Sequence, residues 1–570
     1  MYHNDRNRLL AAALLTAALS GCGDDGAATG QGLLDAEGTR DPWLVQYLVP
    51  GADFLGVHGL AFDADDNLYV GSVIGQTIYR VDTTTGEAEI FVGPPEGMAD
   101  DLEFGPDGTL VWTSILTGKV HARSPDGSIR VLAEDLPGIN SVAFDNDGRL
   151  FVTQVLWGDA LWELDPQGER EPRRVIADQG HLNGFDFSRR GELYGPLLYK
   201  GTVVRVDVDS GELATVASGF RIPVAVNLDS RDNLYVPDTA LGRIVRVDIG
   251  SGEKTLVASL APGIDNLALD SRDRLFITNM VDNAILQVNT RTGATRTLTQ
   301  SPLAVPGGLD VVREGGSDQI YLADLFSFKR IDGTSGTVTE LHRGLRDRLE
   351  MPMTVSVRRG RATTSSWFTN AVQVMDLTTG ESLAIHHDLE HPVDALELEP
   401  GEVLVAEQGR GRLLRLSGEQ GAKRNTVRGD LPGLAAMRAL PPDDIDDPVR
   451  YVYVTDTLAG ELLRIDVRDG SSKVIAAGLQ RPEGFDLTPE GDIVLAEAGR
   501  QRLVHIAPES GKVTEMARNL AIGFPAAEQT PPGYVQTGVG VSPSGAIYVS
   551  ADRTSGLYKI VPQQQPGSGR

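Results

Sequence analysis

A pattern of forty-odd residues recurs from residue 60 almost to the C-terminus, and a period of that length restricts the chain to a repeat architecture. Its clearest copies start at Gly59-Leu60, Asn140-Ser141, Val226 and Asp265-Asn266. Each opens with an alternating apolar strand such as Leu60-Ala61-Phe62 and turns at Asp with Gly or Asn. A second strand such as Leu68-Tyr69-Val70 follows, then a third such as Ile78-Tyr79-Arg80-Val81, a Thr/Gly turn and a fourth. That unit is a four-stranded antiparallel meander, the blade of a β-propeller. Anchored on the first strand, copies begin near Leu60, Leu102, Val142, Phe185, Val226, Leu267, Leu309, Val355, Leu396, Met437, Phe485 and Val539.

Twelve copies exceed the roughly four to eight blades of an ordinary ring, so the expected fold is all-β, with two consecutive six-bladed propellers. Seven plus five blades is the alternative, and a continuous solenoid a more distant one. Residues 45–49 read like a fourth strand, whereas the last copy stops after its third strand at Leu557-Tyr558-Lys559-Ile560. The expected closure therefore places residues 45–49 in the sixth blade and releases 295–299 to the twelfth. Such sealing hides sheet edges that would otherwise expose unpaired amides. On this reading the first propeller spans 43–292 and the second 293–563, with a disordered tail at 564–570. Insertions at 441–448 and 524–534, each with a Pro pair, read as surface loops.

The N-terminus reads as a secretory signal over residues 1–21, because Arg6 and Arg8 precede an apolar run at 9–19 that is too short to span a bilayer. Leu19-Ser20-Gly21-Cys22 resembles the lipobox of bacterial lipoproteins, which implies cleavage before Cys22 and its lipidation. Residues 22–42 then form a lipidated, flexible tether rich in Gly, Ala and Asp. Gly23 after the Cys, rather than an acidic residue, implies export to the outer membrane in the families this resembles. The expected location is the bacterial cell envelope, with the propellers extracytoplasmic and membrane contact made through the lipid.

Cys22 is the only cysteine, so no intramolecular disulfide can form and apolar burial must hold the fold. A formal net charge of −27 repels phosphate backbones and anionic headgroups, which argues against nucleic-acid binding. A monomer that takes a small-molecule ligand or a protein partner at its propeller faces is the expectation.

Chemistry in a propeller collects where the innermost strands begin, because these segments ring the channel. Two residues before each anchor, the first six blades carry His58, Asp100, Asn140, Asn183, Val224 and Asp265. Five of the six are polar, and carboxylate and amide oxygens with an imidazole suit a hard divalent cation such as Ca²⁺ or Mg²⁺. The other reading is that these Asn and Asp residues cap strand starts. The second ring offers Gly307, Met353, Asp394, Ala435, Glu483 and Thr537, of which Asp394 and Glu483 are its candidate channel residues. Asp63-Ala64-Asp65-Asp66 and Asp145-Asn146-Asp147-Gly148 read as hairpin turns rather than calcium loops. His386, His387 and His391 read as an incidental exposed cluster. Nucleophile-elbow, HExxH and phosphate-loop motifs are absent.

Asn183-Gly184-Phe185-Asp186-Phe187-Ser188 through Tyr194 resembles the blades of the senescence marker protein, gluconolactonase and luciferin-regenerating enzyme family, and of the NHL-repeat propellers. The resemblance covers most of the chain beyond residue 45. It implies a divalent ion on the channel axis, held by a Glu, two Asn and an Asp, that assists hydrolysis of a sugar lactone. Asn140 and Asn183 match the two Asn positions. The sequence departs at the Asp position, which is Val224, and at the Glu position, which is His58. Asp100 and Asp265 each lie one blade from the expected carboxylate and are the candidate catalytic groups. Two functions follow as expectations: a tethered ligand-binding or sensing propeller, or a metal-dependent hydrolase of lactones or esters.

Overall fold

The computed structural model describes residues 42–440 and 448–563; the signal segment, Cys22, most of the tether, the insertion at 441–447 and the tail from 564 lie outside the described residues. The fold is all-β, with twelve four-stranded antiparallel sheets that follow the sequence period blade by blade. Six sheets span 60–92, 102–133, 139–177, 186–218, 227–259 and 264–299, and five more span 309–343, 354–386, 392–428, 434–477 and 482–517. The twelfth combines 539–562 with the N-terminal strand Trp43–Val49.

The expected sealing is overturned. Trp43–Val49 pairs with Gly556–Pro562, Tyr47 lying opposite Tyr558, while Thr295–Thr299 stays in its own blade beside Ala284–Val288. The N-terminal strand therefore seals the second ring, and the first ring is built from one uninterrupted segment, 60–299. Ring closure shows in the packing of the innermost strands: Leu60–Phe62 lies against Ile264–Leu269, and Leu309–Glu314 against Val539–Val541. Those contacts join blade 1 to blade 6 and blade 7 to blade 12, giving six plus six rather than seven plus five.

The turn between third and fourth strands shows how local sequence fixes this arrangement. Asp82, Asp207, Asp248 and Asp332 each accept hydrogen bonds from the amides two and three residues on, an Asx turn. Each turn ends in a glycine in the left-handed region (φ 81° at Gly86, 72° at Gly336). A Cβ at Gly86 would strike the carbonyl of Leu298 in blade 6, and one at Gly336 the carbonyl of Leu48 in the N-terminal strand. Each ring thus closes by seating the turn of its first blade on the outer strand of its last.

Burial follows position in the blade. In the first ring all five residues of every second strand are buried, since neighbouring blades cover both faces, whereas the outer strand Thr295–Thr299 is largely exposed. Trp112, Phe151, Phe276 and Phe328 are fully buried between blades, and each such side chain contributes about 1.5–3 kcal/mol to a fold without disulfides.

The two rings share an apolar core. Leu55, Val73, Ile74, Ile115 and Met280 of the first ring pack in one cluster with Val305, Leu325, Phe326, Trp367, Phe524 and Tyr534 of the second. Residues 524–534 are a surface loop only in part, exposed at 525–526 and 528–529 but anchored to the first ring and to Trp367: Trp367 donates to Tyr534 O at 3.0 Å, Gln76 to Pro525 O at 2.9 Å, and Lys119 pairs with Glu528 at 2.5 Å. Apolar residues inside the insertion bury themselves against the first ring, which fixes the loop as a clamp. Arg343 adds a buried tie, holding Asp282 at 2.6 Å and donating to Pro262 O at 2.8 Å.

Candidate functional site

His58, Asp100, Asn140, Asn183, Val224 and Asp265 all line one cavity of about 250 Å³ at the channel mouth of the first ring. They converge because each sits at or just before the start of an innermost strand, held there by the backbone. The amides of His58, Asp100, Asn183 and Val224 donate to the second strands of their own blades at 3.0, 2.9, 3.0 and 3.2 Å. Hydroxyls from neighbouring blades fix two of them further: Thr278 donates to His58 O at 2.6 Å, and Thr113 donates to Asn140 O.

The polar side chains form a floor. His58 Nδ1 lies 3.2 Å from Asp265 Oδ2 and 3.9 Å from Asp100 Oδ1. Asn140 donates to Asp100 and accepts from the Ser141 hydroxyl at 2.9 Å. Burial alone would lower the His58 pKa, but the Asp265 hydrogen bond and the charges of Asp265 and Asp100 outweigh it and hold the imidazole above its usual value. Burial, with the Asp265 charge, pushes Asp100 up to about 7 despite His58 and Asn140. Asn183 Oδ1 and Thr239 Oγ1, both lining the cavity and both buried, have no hydrogen-bond partner among the described residues.

Apart from Asn266, which donates to Asp101 at 3.4 Å, the remaining walls are apolar. Leu156, Leu198, Tyr199 and Ile222 come from the first ring, while Leu325, Phe326, Leu345, Met351 and Phe368 reach over from the second. Phe326 meets the His58 ring edge-on at 5.8 Å, and Phe368 meets Trp157 at 5.5 Å. Leu156, Trp157, Tyr199 and Leu241 are exposed, 64 % in the case of Tyr199. The second ring therefore roofs blades 1, 2 and 6 and reaches Trp157 of blade 3, leaving an opening beside Leu156 and blades 4 and 5.

A divalent cation fits this floor poorly as it stands. The unpartnered Asn183 oxygen is the kind of donor such an ion would take, but the imidazole already occupies the space between Asp100 and Asp265. Among the described residues no group of three or more His, Cys, Asp or Glu is placed to hold a metal.

Deeper in the channel lie groups that the strand-start rule passes over. Asp101 accepts from the amides of Leu102 (3.0 Å) and of Val142 in the next blade (3.3 Å), and Asp186 does the same with Phe187 and Leu228 (2.7 and 2.8 Å). Burial pushes Asp101 up to about 8, with Asp100 and Asp265 adding to it, and Asp186 up to about 6. Burial raises Glu103 well above the usual range, and the charges acting on it are those of Asp186 and Asp101. The acidic doublet Asp100-Asp101 was the sequence signal, since only one of two adjacent residues can occupy the rim position.

In the second ring the same staple recurs and the expected channel carboxylates are already satisfied. Asp310, Asp394 and Asp486 each accept from an amide of the next blade, at Val357, Met437 and Val541, all at 2.7 Å. Arg438 stands among them, 3.6 Å from Asp394, and donates to Met437 O and Leu309 O. Glu483 holds Arg481 at 3.1 Å and accepts from the Thr537 amide at 2.8 Å. Asp394 and Glu483 thus hold blades together. Asp63 and Asp145 accept from the amides two and four residues on, as hairpin turns do. His386 bonds Gln420 O while His387 turns to Glu350.

No protein-family profile and no curated protein matches the chain. Among solved structures it is similar to a virginiamycin B lyase from Staphylococcus aureus, with 14 % identity over 49 % of this chain and 96 % of that one, at a TM-score of 0.35. A gluconolactonase from Xanthomonas campestris shares 17 % identity over 42 % of this chain and 87 % of its own, at a TM-score of 0.35. The extracellular domain of a putative one-component system from B. thetaiotaomicron aligns over 92 % of this chain and 84 % of its own, with 10 % identity and a TM-score of 0.30.

Proposed function

We propose that the protein is a ligand-binding propeller, tethered to the cell envelope through Cys22, that receives a small molecule in the cavity between its rings. The observation that carries this reading is a cavity whose polar floor of His58, Asp100, Asn140 and Asp265 meets apolar walls, with two buried atoms that lack partners among the described residues, Asn183 Oδ1 and Thr239 Oγ1, in residues of its lining. A buried polar atom without a partner costs about 1–3 kcal/mol, which a ligand's hydrogen-bond donors would recover. A few convergent polar groups in an apolar hollow are the ordinary makeup of a small-molecule site. At the floor, His58, Asp100, Asn140 and Asp265 would orient the ligand.

A metal-dependent hydrolase of lactones or esters is the second reading, favoured by the Asn183 oxygen that lacks a partner. In it a Ca²⁺ or Mg²⁺ ion would draw on Asp100, Asn140, Asn183 and Asp265, His58 having turned aside, and would polarise a carbonyl. Whichever of Asp100 and Asp265 was left free of the ion would take the proton of the attacking water.

Calorimetric titration of the metal-stripped domain from residue 24 separates the two. Small amines, alcohols, carboxylates and lactones, and Ca²⁺, Mg²⁺, Mn²⁺ and Zn²⁺, are tested against it and an Asn183→Ala, Asp265→Ala variant. Binding of an organic compound that the variant loses is the expected result. Saturable metal binding lost in the variant would favour the hydrolase, and no binding of any kind would sink both. Membrane attachment is tested separately by fractionation of a Cys22→Ser variant, which should leave the membrane.

A further inference from the structure

The charge and hydrogen-bonding demand of the cavity specify a ligand more narrowly than its size does. Two carboxylates, Asp100 and Asp265, and one imidazole form the floor, so with both carboxylates ionised and His58 protonated one negative charge is left over. Among the described residues no Lys or Arg lines the cavity. Asn183 Oδ1 can only accept a hydrogen bond and has no partner among the described residues. What is lacking is a compact cation that donates several hydrogen bonds.

Above the floor, the walls rule out a bare or hydrated inorganic ion as the whole occupant. Ile222, Leu198, Leu325, Phe326, Met351 and Phe368 would leave the water shell of such an ion against hydrocarbon. At about 250 Å³ the hollow falls below the 300–1,000 Å³ typical of drug-sized ligands. Its opening beside Leu156 and Tyr199 is apolar as well.

We infer that the cavity binds a primary ammonium compound with a small apolar body, the ammonium set on Asp100 and Asp265 beside Asn183 and the body beneath Phe326 and Phe368. This inference rests on the binding reading above and names its ligand class. An ammonium group presents three donors to these acceptors, and its single charge offsets the excess of the floor. The hydrocarbon meets the roof contributed by the second ring.

The test uses three probes of nearly equal size, hexylamine, 1-hexanol and hexanoate, titrated calorimetrically at pH 7.5 into the soluble two-ring protein alongside CaCl₂. Hexylammonium should bind at least tenfold more tightly than hexanol, with hexanoate weaker still. Charged hydrogen bonds are worth about 1.5–3 kcal/mol each, so Asp265→Asn should weaken hexylammonium by roughly ten- to a hundredfold while leaving hexanol nearly unchanged. Phe326→Ala should weaken both. Asn183→Asp, which keeps the acceptor and adds charge, should retain or strengthen amine binding, so a folding defect cannot mimic the expected pattern. Hexanol or hexanoate binding as tightly as the amine would overturn the ammonium assignment and leave the binding cavity standing. Failure of every probe and of Ca²⁺ would overturn both.

Discussion

Replacing Arg438 by Met isolates the energetic role of one buried cation. Arg438 is 8 % exposed, lies 3.6 Å from Asp394, and stands in the field of Asp310 and Asp486 as well. Met preserves the hydrocarbon stem but removes the charge and the donors to Met437 O and Leu309 O. Asp394 and Asp486 would then lose their counter-charge and Asp310 would keep only Arg358, and breaking such an arrangement costs about 3–5 kcal/mol. For a unit of this size each kcal/mol lowers the midpoint by roughly 2–4 °C, so a loss near 4 kcal/mol should lower the second ring's transition by roughly 8–16 °C at pH 8. The pH response carries the mechanism. Burial already raises Asp394 and Asp486 to about 6 while Arg438 opposes it. Without Arg438 the folded-state values climb further above those of the unfolded chain, so stability is present at low pH and lost as pH rises through the folded pKa. Calorimetry at pH 8 and pH 5.5 should show most of the Arg438→Met deficit recovered at the lower pH. An unchanged midpoint at pH 8, or an equal deficit at both values, would refute the role of Arg438 as counter-charge to the staples.

Two further outcomes follow from the same geometry. Asp100 and Asp101, raised to about 7 and about 8, favour the folded state most when protonated, and His58, also raised, acts in the same direction. Calorimetry should therefore find the first-ring transition rising as pH falls from 8.5 to 6, and a fall over that window would contradict the burial of these groups. Gly336→Ala must both strain a φ of 72° and push the carbonyl of Leu48 away, whereas Gly360→Ala at φ 73° meets nothing within 4 Å. Urea unfolding should show the former costing at least about 1 kcal/mol more than the latter, from the steric conflict on top of equal backbone strain.

Much of this architecture is legible in the sequence because period-two strands and Asp-led turns are local features. The blade count, the hairpins at Asp63 and Asp145, and the rim positions His58 to Asp265 all depend on spacing along one segment. Which ring the N-terminal strand closes is not local. Residues 43–49 and 295–299 are both outer strands with similar patterns, and each offers the same seat to the first-blade turn of its ring, Leu298 to Gly86 and Leu48 to Gly336, so the local pattern does not discriminate between them. The insertion at 524–534 misled for a related reason: its Pro pair marks a loop, yet Phe524 and Tyr534 find a partner surface 450 residues away in sequence. The roof was equally hidden, since Phe326 and Phe368 read as ordinary residues of their own blades until the rings are packed together. Asp394 stood at a rim position by spacing but serves as a staple because Arg438 lies beside it.

The central claim is that one cavity, walled by both rings, is where the ligand sits, and methionine-methyl NMR tests it directly. Met280 of the first ring and Met351 of the second both line the cavity, whereas Met375 and Met516 are buried elsewhere in the second ring. Titration of hexylammonium into protein labelled at methionine methyls should shift Met280 and Met351 together, with one shared dissociation constant, and leave Met375 and Met516 in place. Shifts confined to one ring, or none at Met280 and Met351 while binding saturates, would contradict a shared cavity.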